Sequence, residues 1–419
     1  MNGVSLKAST LQGSEIIKLG GEINQKIKAG EQIYNLTIGD FNPKIFPIPS
    51  ELKRLIVEAY HNDETNYPPA DGIAELKQAV LQLIEKHEQL AYGMDEVMIA
   101  GGGRPLIYAI YQTLLDPGDK VLYPVPSWNN NHYCHLTDAQ RIEIETRPEN
   151  GFMPTADELR PLLKDATLLA LCSPLNPTGT TFSEAALCEI CDLVLQENKA
   201  RNGKRKPLYV LYDQIYWMLM ADGVAHVNPV SLFPEMKAYT IFVDGISKSL
   251  AATGVRVGWS LGPAAVIARM KSILGHIGAW SPKAEQVATA AFLSNETALQ
   301  SYLAELQLKV NLRFSRLFQG IRKMKDSGFP VDIIAPEGAI YLSAQFSLLG
   351  KITADGKTIE KTEDITAYLL NEAKVALVPF TAFGCAQGTD WYRISVGTLA
   401  ESDIDDVLSN LEEALSKLV

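Results

Sequence analysis

Short apolar runs alternate with helical segments through the middle of this 419-residue chain. Several of these runs lack polar alternation, which is typical of strands buried on both faces of a sheet. Helical patterns such as Leu106–Leu115 and Glu184–Glu197 lie between many of them. We therefore predict right-handed βαβ crossovers and a mostly parallel sheet with helices on both sides, where ligands collect at the carboxyl ends of the strands. The predicted strands are Val97–Ala100, Val121–Val125, Leu168–Cys172, Leu208–Tyr212, Thr240–Val243 and Val255–Ser260.

The last third of the chain follows a different pattern. A long helical stretch at about Glu285–Lys325 is expected to break and to carry the chain out of the large domain. Strands and helices then alternate, which predicts a small α+β domain. We expect an N-terminal segment (1–60) that contributes to the small domain and to dimer contacts, a large ligand-binding domain (61–305) and a C-terminal small domain (306–419). The predicted elements are strands Val331–Ile334, Ala339–Phe346, Val375–Pro379 and Tyr392–Val396 and helices Thr362–Glu372 and Glu401–Leu418.

Composition narrows the class of protein. The 38 basic and 49 acidic residues give a net charge of −11, which argues against a general nucleic-acid binder but allows a local basic pocket. The 47% hydrophobic fraction is that of a soluble globular protein with a large core. The chain contains no uninterrupted apolar stretch of about 18 residues, so we predict no membrane span. We also see no signal peptide in the first 20 residues.

Cysteine usage predicts a reducing, cytoplasmic compartment, because the five cysteines are few, odd in number and scattered. Cys188 and Cys191 form a CxxC within an amphipathic helical pattern, where packing is the favoured role. His132, Cys134 and His135 lie close together, but no further ligand cluster accompanies them, so we interpret them as structural and predict no metal site.

The most informative stretch is 244–259, in which Lys248 closes a predicted strand and Arg256 follows eight residues later. A lysine in an ordinary surface loop does not need small residues around it. A bulky ligand beside the backbone does, because small residues leave space for it. A lysine near a fixed cation has its ammonium form disfavoured and can serve as an amine nucleophile. Arg256 would supply that cation and grip a phosphate. The small residues are Gly245, Ser247, Ala251, Ala252 and Gly254.

This stretch resembles the lysine-attachment signature of class I/II aminotransferases, which depend on pyridoxal 5′-phosphate (PLP) and have the aspartate aminotransferase fold. Further motifs follow in the family's order from about Leu36 to Gly397. The resemblance implies an α/β protein of PLP-dependent transferase fold type I, with a large PLP-binding domain and a smaller α+β domain. It also implies that Lys248 binds PLP as a Schiff base.

Two motifs resemble the segments that contact the cofactor ring. Within 173–179, the resemblance implies that Asn176 hydrogen-bonds the ring oxygen, and within 212–216 it implies that Tyr216 donates to the same oxygen. Asp213 is expected to face the pyridine nitrogen. An ionised carboxylate there keeps the nitrogen protonated, and a pyridinium withdraws electrons from Cα. The implied catalytic residues are Lys248, Asp213 and Tyr216.

A glycine-rich turn at 100–105 opens a predicted helix, and bare N–H groups at a helix start form an anion site. The resemblance makes this turn part of the phosphate site. Arg104 and the adjacent Pro105 depart from the usual family pattern, which leaves the direction of the Arg104 side chain open. The implied phosphate ligands are Gly102, Gly103, Arg104, Ser247 and Arg256.

The remaining matches concern the substrate and a second subunit. The resemblance implies that Trp128 stacks on the pyridine face and that Arg393 binds the substrate α-carboxylate as a guanidinium fork. Trp128 and Asn176 are then also substrate contacts, as is Gly39. Tyr67 is expected to reach the phosphate of a neighbouring subunit, so that a homodimer has a composite active site.

The predicted activity is transfer of an amino group from an L-amino acid to a 2-oxo acid by a ping-pong cycle, with 2-oxoglutarate as acceptor by resemblance. The donor stays open between aspartate, for which Lys283 is a candidate second cation, and an aromatic amino acid, for which Trp280 would suit the pocket. One alternative is a PLP-dependent β-lyase (C–S lyase). A remote alternative is a non-catalytic regulator of the same fold, although no basic helix-turn-helix precedes Gly39.

Overall fold

The structure is a computed structural model that describes residues 3–11, 13 and 15–419. Residues 1, 2, 12 and 14, which belong to the stretch inspected for a signal peptide and to the expected 1–60 segment, lie outside the described residues. The strands are β1 (Tyr34–Asn35), β2 (Val97–Ala100), β3 (Lys120–Val125), β4 (Gln140–Glu145), β5 (Leu168–Cys172), β6 (Tyr209–Asp213), β7 (Thr240–Gly245), β8 (Gly258–Leu261), β9 (Val331–Ile333), β10 (Tyr341–Phe346), β11 (Val375–Ala376), β12 (Val378–Pro379) and β13 (Trp391–Ser395).

The helices cover much of the chain between these strands. They are α1 (Leu6–Thr10), α2 (Glu15–Lys28), α3 (Ser50–His61), α4 (Ala74–Glu88), α5 (Gly103–Leu114), α6 (Asn130–Thr137), α7 (Ala156–Leu163), α8 (Glu184–Arg201), α9 (Pro229–Leu232), α10 (Ile246–Ser249), α11 (Ala264–Ile277), α12 (Lys283–Leu293), α13 (Glu296–Asp326), α14 (Thr362–Glu372) and α15 (Ile404–Ser416). Among the described helices, none combines the length and the apolar character needed to cross a membrane.

The large sheet has seven strands in the order β2-β8-β7-β6-β5-β3-β4. Strands β3 to β7 run parallel, and β8 is antiparallel to both of its neighbours. The predicted α/β class with a mostly parallel sheet is confirmed. Strand β8 begins later than the predicted apolar run because Arg256 has a left-handed backbone (φ 64°), which interrupts an extended strand.

Burial on both faces explains why the parallel strands read as continuous apolar runs. In β2, Val97 and Ile99 enter one core while Met98 and Ala100 enter the other. Helices α4, α8 and α12 pack on the first face, and helices α5 and α11 pack on the second. The sheet is therefore covered on both sides, as a parallel sheet requires.

A separate core lies around the antiparallel sheet β12-β13-β10-β9. The expected break in the long helical stretch falls between α12 and α13. Helix α13 spans 31 residues, with Leu303 in the first core and Leu306 in this one, so it links the two. Phe41 and Phe46 from the N-terminal part also pack here. The division into 1–60, 61–305 and 306–419 stays a prediction.

Candidate active site

A cavity of about 490 Å³ opens where the parallel strands β3, β5, β6 and β7 end, and residues of β10 and β13 close it from the other side. Most of the residues expected from the sequence line it. Gly102 lies against Arg256, which lines the cavity, but is not itself part of the cavity wall. Tyr67 does not reach the cavity. The expected residues in the cavity wall are Gly39, Gly103, Arg104, Trp128, Asn176, Asp213, Tyr216, Ser247, Lys248, Arg256 and Arg393.

Lys248 projects into the cavity from the single turn α10, directly after β7. A Cβ atom at Gly245 would lie 2.7 Å from the backbone of Gly258 in β8, so only glycine allows the end of β7 to approach β8 this closely. The Nζ atom donates to the Gly39 carbonyl over 2.6 Å. Burial lowers the pKa of Lys248 to about 8. The charge of Asp40 opposes this shift, and the nearby guanidinium groups add to it. A substantial neutral amine fraction therefore exists near neutral pH.

An anion-binding corner forms at the start of α5. Gly102 has φ +96°, and a Cβ atom there would overlap the guanidinium of Arg256. Arg256 donates to the carbonyls of Gly101 and Thr253, each over 2.6 Å, which holds its guanidinium against the helix start. Backbone N–H groups at a helix N-terminus and a guanidinium both favour a bound phosphate.

Asp213 ends β6 and faces the cavity with few partners. Its Oδ1 accepts from the backbone N–H of Ile215 over 3.1 Å. No cation among the described residues forms a salt bridge with it, and burial raises the pKa of Asp213 to about 6. An uncompensated carboxylate in a cavity is a matched partner for a positively charged ligand atom.

Asn176 and Tyr216 lie on the two loops beside Asp213. The Asn176 Oδ1 accepts from Arg393 over 2.9 Å, which leaves its NH₂ group to donate elsewhere. The Tyr216 hydroxyl lies 2.7 Å from the hydroxyl of Tyr341. Burial raises the pKa of Tyr216 well above its ordinary value, so this hydroxyl stays protonated and can act as a donor.

Arg393 occupies the middle of β13 and is 2% exposed. Besides Asn176, it donates to the carbonyl of Thr37 over 2.5 Å. Its Nε has no hydrogen-bond partner among the described residues, and no carboxylate there forms a salt bridge with it. A buried guanidinium that lacks an anion is costly, so this side chain is prepared for a carboxylate ligand.

Arg104 and Trp128 form a pair at the cavity wall. The Arg104 Cζ lies 5.4 Å from the centre of the Trp128 ring, in the range of a cation–π contact. Trp128 also packs beside Phe383, with ring centres 6.3 Å apart. No carboxylate of a described side chain lies within salt-bridge distance of Arg104. The guanidinium expected to bind phosphate thus contacts an aromatic wall.

Tyr67 and Lys283 lie outside the cavity. Tyr67 is 81% exposed, with its ring centre 5.0 Å from that of Trp280. Lys283 forms a salt bridge with Glu64 over 2.8 Å and donates to Asn66 over 2.7 Å. Its charge is therefore already neutralised by a carboxylate of its own chain. Within the described residues, no group of three His, Cys, Asp or Glu side chains could hold a metal ion.

Sequence reasoning missed Tyr341 and Phe383, which place aromatic rings 4.7 and 4.9 Å from the Arg393 Cζ. It also gave no role to Asp40, which lines the cavity. Tyr341 was placed only within a predicted strand. The available signal was chemical, because a tyrosine in a buried strand needs a partner for its hydroxyl.

The family profile for aminotransferases of class I and II matches residues 31–411. The aspartate aminotransferase of Rhizobium meliloti (strain 1021) is 30% identical over 415 residues, which cover 98% of this chain and 96% of that one. A probable aspartate/prephenate aminotransferase of Thermus aquaticus is 28% identical, covering 99% and 100% of the two chains.

Solved structures agree with these relatives. The crystal structure of the aspartate aminotransferase from Rhizobium meliloti has a TM-score of 0.90 at 28% identity and covers all of both chains. The aromatic aminotransferase from Pyrococcus horikoshii OT3 has a TM-score of 0.81 at 26% identity, covering 94% and 98%. The chain therefore belongs to the class I and II aminotransferases, a PLP-dependent family. The predicted fold type and aminotransferase activity are confirmed.

Proposed function

We propose that this aminotransferase holds its cofactor on Lys248 and transfers the amino group of an acidic L-amino acid, aspartate foremost, to 2-oxoglutarate. The observation that carries the proposal is the charge arrangement of the cavity. A lysine of lowered pKa and a carboxylate of raised pKa, Asp213, line the same cavity. Arg256 and Arg393 line it too, without a carboxylate partner among the described residues.

The residues fit PLP at both of its charged ends. The helix start at Gly103 and the Arg256 guanidinium offer donors and positive charge to a phosphate. The buried Asp213 carboxylate, with one backbone donor, offers negative charge to a protonated ring nitrogen. Ser247 adds a hydroxyl to the same wall. When bound, PLP supplies an electron sink for the negative charge left at Cα as its C–H bond breaks.

The chain's own groups then hold the substrate and move one proton. Arg393 binds the α-carboxylate through its fork and so fixes the orientation of Cα. The substrate amine first displaces Lys248 from its bond to the cofactor, and the freed Nζ then takes the Cα proton as a base and returns it as an acid. Donors from Asn176 and Tyr216 stabilise negative charge on the ring oxygen. Gly39 accepts from Lys248 and keeps the amine at the cavity wall.

Arg104 is our candidate for the cation that binds the distal carboxylate of an acidic donor. It lies at the cavity wall beside the Trp128 ring, and its planar guanidinium is matched to a carboxylate. Lys283, the candidate from the sequence, is paired with Glu64. Relatives at about 30% identity named aspartate aminotransferase support the same donor class.

An aromatic donor is the second candidate, favoured by the rings of Trp128 and Phe383 in contact with each other. A solved relative of this fold is an aromatic aminotransferase. Cation–π contact with Arg104 is compatible with either donor, because a guanidinium face can also cover an aromatic ring. Measured donor preference separates the two.

We also propose a cytoplasmic homodimer with a composite active site. The Tyr67 ring is exposed beside Trp280 and lies outside the cavity of its own chain, so it is available for contact with a second subunit. The five cysteines are unpaired, which supports a reducing compartment.

The test is a donor panel with the PLP-loaded protein and 2-oxoglutarate, comparing aspartate with phenylalanine. Arg104→Gln should lower kcat/KM for aspartate by about 10- to 100-fold and leave phenylalanine nearly unchanged, because a charge-assisted hydrogen bond is worth about 1.5–3 kcal/mol. Lys283→Gln is the matched control, since it removes a cation already paired outside the cavity. Equal losses for both donors in Arg104→Gln would exclude the acidic-donor assignment.

A further inference from the structure

Tyr341 begins β10 and lines the cavity, although it is fully buried. Two glycines make room for it. A Cβ atom at Gly39 would lie 2.7 Å from the Tyr341 hydroxyl, and a Cβ atom at Gly179 would overlap its carbonyl oxygen. Gly179 belongs to the loop that carries Asn176. The backbone around Tyr341 is therefore tightly enclosed by two other segments of the site.

The ring of Tyr341 supports the guanidinium of Arg393. Strands β10 and β13 are antiparallel, with Tyr341 opposite Ser395 and Ser343 opposite Arg393. Tyr341 and Arg393 are thus diagonal neighbours on one face of the sheet. The Arg393 Cζ lies 4.7 Å from the ring centre, within cation–π range.

The hydroxyl of Tyr341 lies 2.7 Å from that of Tyr216, and each carries one proton. Burial raises the pKa of both tyrosines, so both stay protonated. If Tyr216 uses its proton for the cofactor's ring oxygen, the bond between the hydroxyls has to be donated by Tyr341. A donor in this position polarises the Tyr216 O–H group and strengthens its own donation.

We propose that Tyr341 is a positioning residue for transamination: its hydroxyl directs the Tyr216 proton towards the cofactor, and its ring holds Arg393 for the substrate carboxylate. One side chain would then join the cofactor end of the site to the carboxylate end. The inference rests on the proposed function, because it requires PLP on Lys248. The ionisable groups around the two tyrosines are Cys172, Lys248, Arg393 and Asp40.

The hydroxyl is tested by Tyr341→Phe, read from the pH midpoint of the visible absorbance of the PLP-loaded protein. A weaker donor at Tyr216 destabilises the anionic ring oxygen, so the midpoint should rise by about 0.5 pH unit. Tyr392→Phe is the matched control. It removes a buried hydroxyl from the same sheet, bonded to the Thr362 carbonyl over 3.0 Å outside the cavity, and should leave the midpoint unchanged.

The double variant Tyr216→Phe/Tyr341→Phe separates a positioning role from a direct one. If Tyr341 acts through Tyr216, the double variant should shift the midpoint no further than Tyr216→Phe alone. The ring is tested by Tyr341→Leu, which should raise KM for the amino acid about fivefold, while Tyr341→Phe, which keeps the ring, should leave KM unchanged.

Each outcome bears on one part of the inference. A midpoint in Tyr341→Phe equal to that of Tyr392→Phe, or additive shifts in the double variant, would overturn the hydroxyl role. Equal KM values for Tyr341→Leu and Tyr341→Phe would overturn the ring role. If the unmutated protein bound PLP without a pH-dependent band, the proposed function itself would fail, and this inference with it.

Discussion

In the cofactor-free protein, Lys248 should react with electrophiles faster near pH 8 than a lysine of ordinary pKa does. Burial, with a contribution from Arg393, lowers its pKa from 10.5 to about 8. At pH 8, about half of the Lys248 side chains are then neutral, against about 0.3% of a lysine with the ordinary pKa. Because the neutral amine is the nucleophile, and its fraction is about 150-fold higher at that pH, Lys248 should react faster than an ordinary lysine before any steric restriction.

Trace labelling with acetic anhydride, followed by peptide mass spectrometry, measures this amine directly. Labelling of Lys248 between about pH 6 and pH 11 should have its midpoint near 8. Lys206 provides an internal comparison. Burial alone would lower the pKa of Lys206, but hydrogen bonds with Asp116 and Asp119 raise it above the ordinary value. Its midpoint should therefore lie far above that of Lys248.

A charge variant tests the cause of the lowered pKa. Arg393→Met removes a buried cation near Lys248, so the Lys248 midpoint should move upwards. Lys271→Met is the control, because that cation pairs with Asp71 outside the cavity. A Lys248 midpoint equal to that of Lys206 would refute the lowered pKa, and a midpoint that Arg393→Met leaves unchanged would refute the contribution of Arg393.

Three further variants test other parts of the site. Asp213→Asn should lower turnover about 100-fold or more. In the cofactor-free protein, the same substitution should stabilise the fold above pH 6 and leave its stability unchanged at pH 4. The reason is that burial raises the pKa of Asp213 to about 6, so the ionised carboxylate is the form that destabilises the fold. A pH-independent difference in urea unfolding would contradict that sign. Arg393→Lys should raise KM for the amino acid about tenfold or more through loss of the fork, and unchanged KM would exclude Arg393 as the carboxylate ligand. Gly179→Ala should lower Tm more than Gly203→Ala does, because both glycines have positive φ but only Gly179 faces a backbone atom, the Tyr341 carbonyl oxygen; equal losses would contradict it.

The large sheet could be predicted because its strands are buried on both faces and read as apolar runs. Strand β4 could not, since this edge strand is mostly exposed and its sequence, Gln140–Glu145, is largely polar. The antiparallel direction of β8 was also missed, because apolar content carries no information on strand direction.

Site residues at strand ends and within motifs could be predicted from the sequence, because the residues that mark them are close to them in the chain. Contacts between distant segments were not. The pairing of Lys283 with Glu64 joins residues far apart in the chain and removes a candidate cation. The resemblance gave Arg104 to the phosphate and left the direction of its side chain open, and its contact with Trp128 could not be read from the sequence. The proposed role of Tyr341 depends on its contacts with Tyr216 and Arg393, neither of which is near it in sequence.

The most direct test of the account is the site of covalent attachment. The PLP-loaded protein is reduced with borohydride, digested and analysed by mass spectrometry. We predict the mass of a phosphopyridoxyl group on the peptide that contains Lys248, and its loss in Lys248→Ala together with the visible absorbance. The group on another lysine, or unchanged absorbance in Lys248→Ala, would contradict the account.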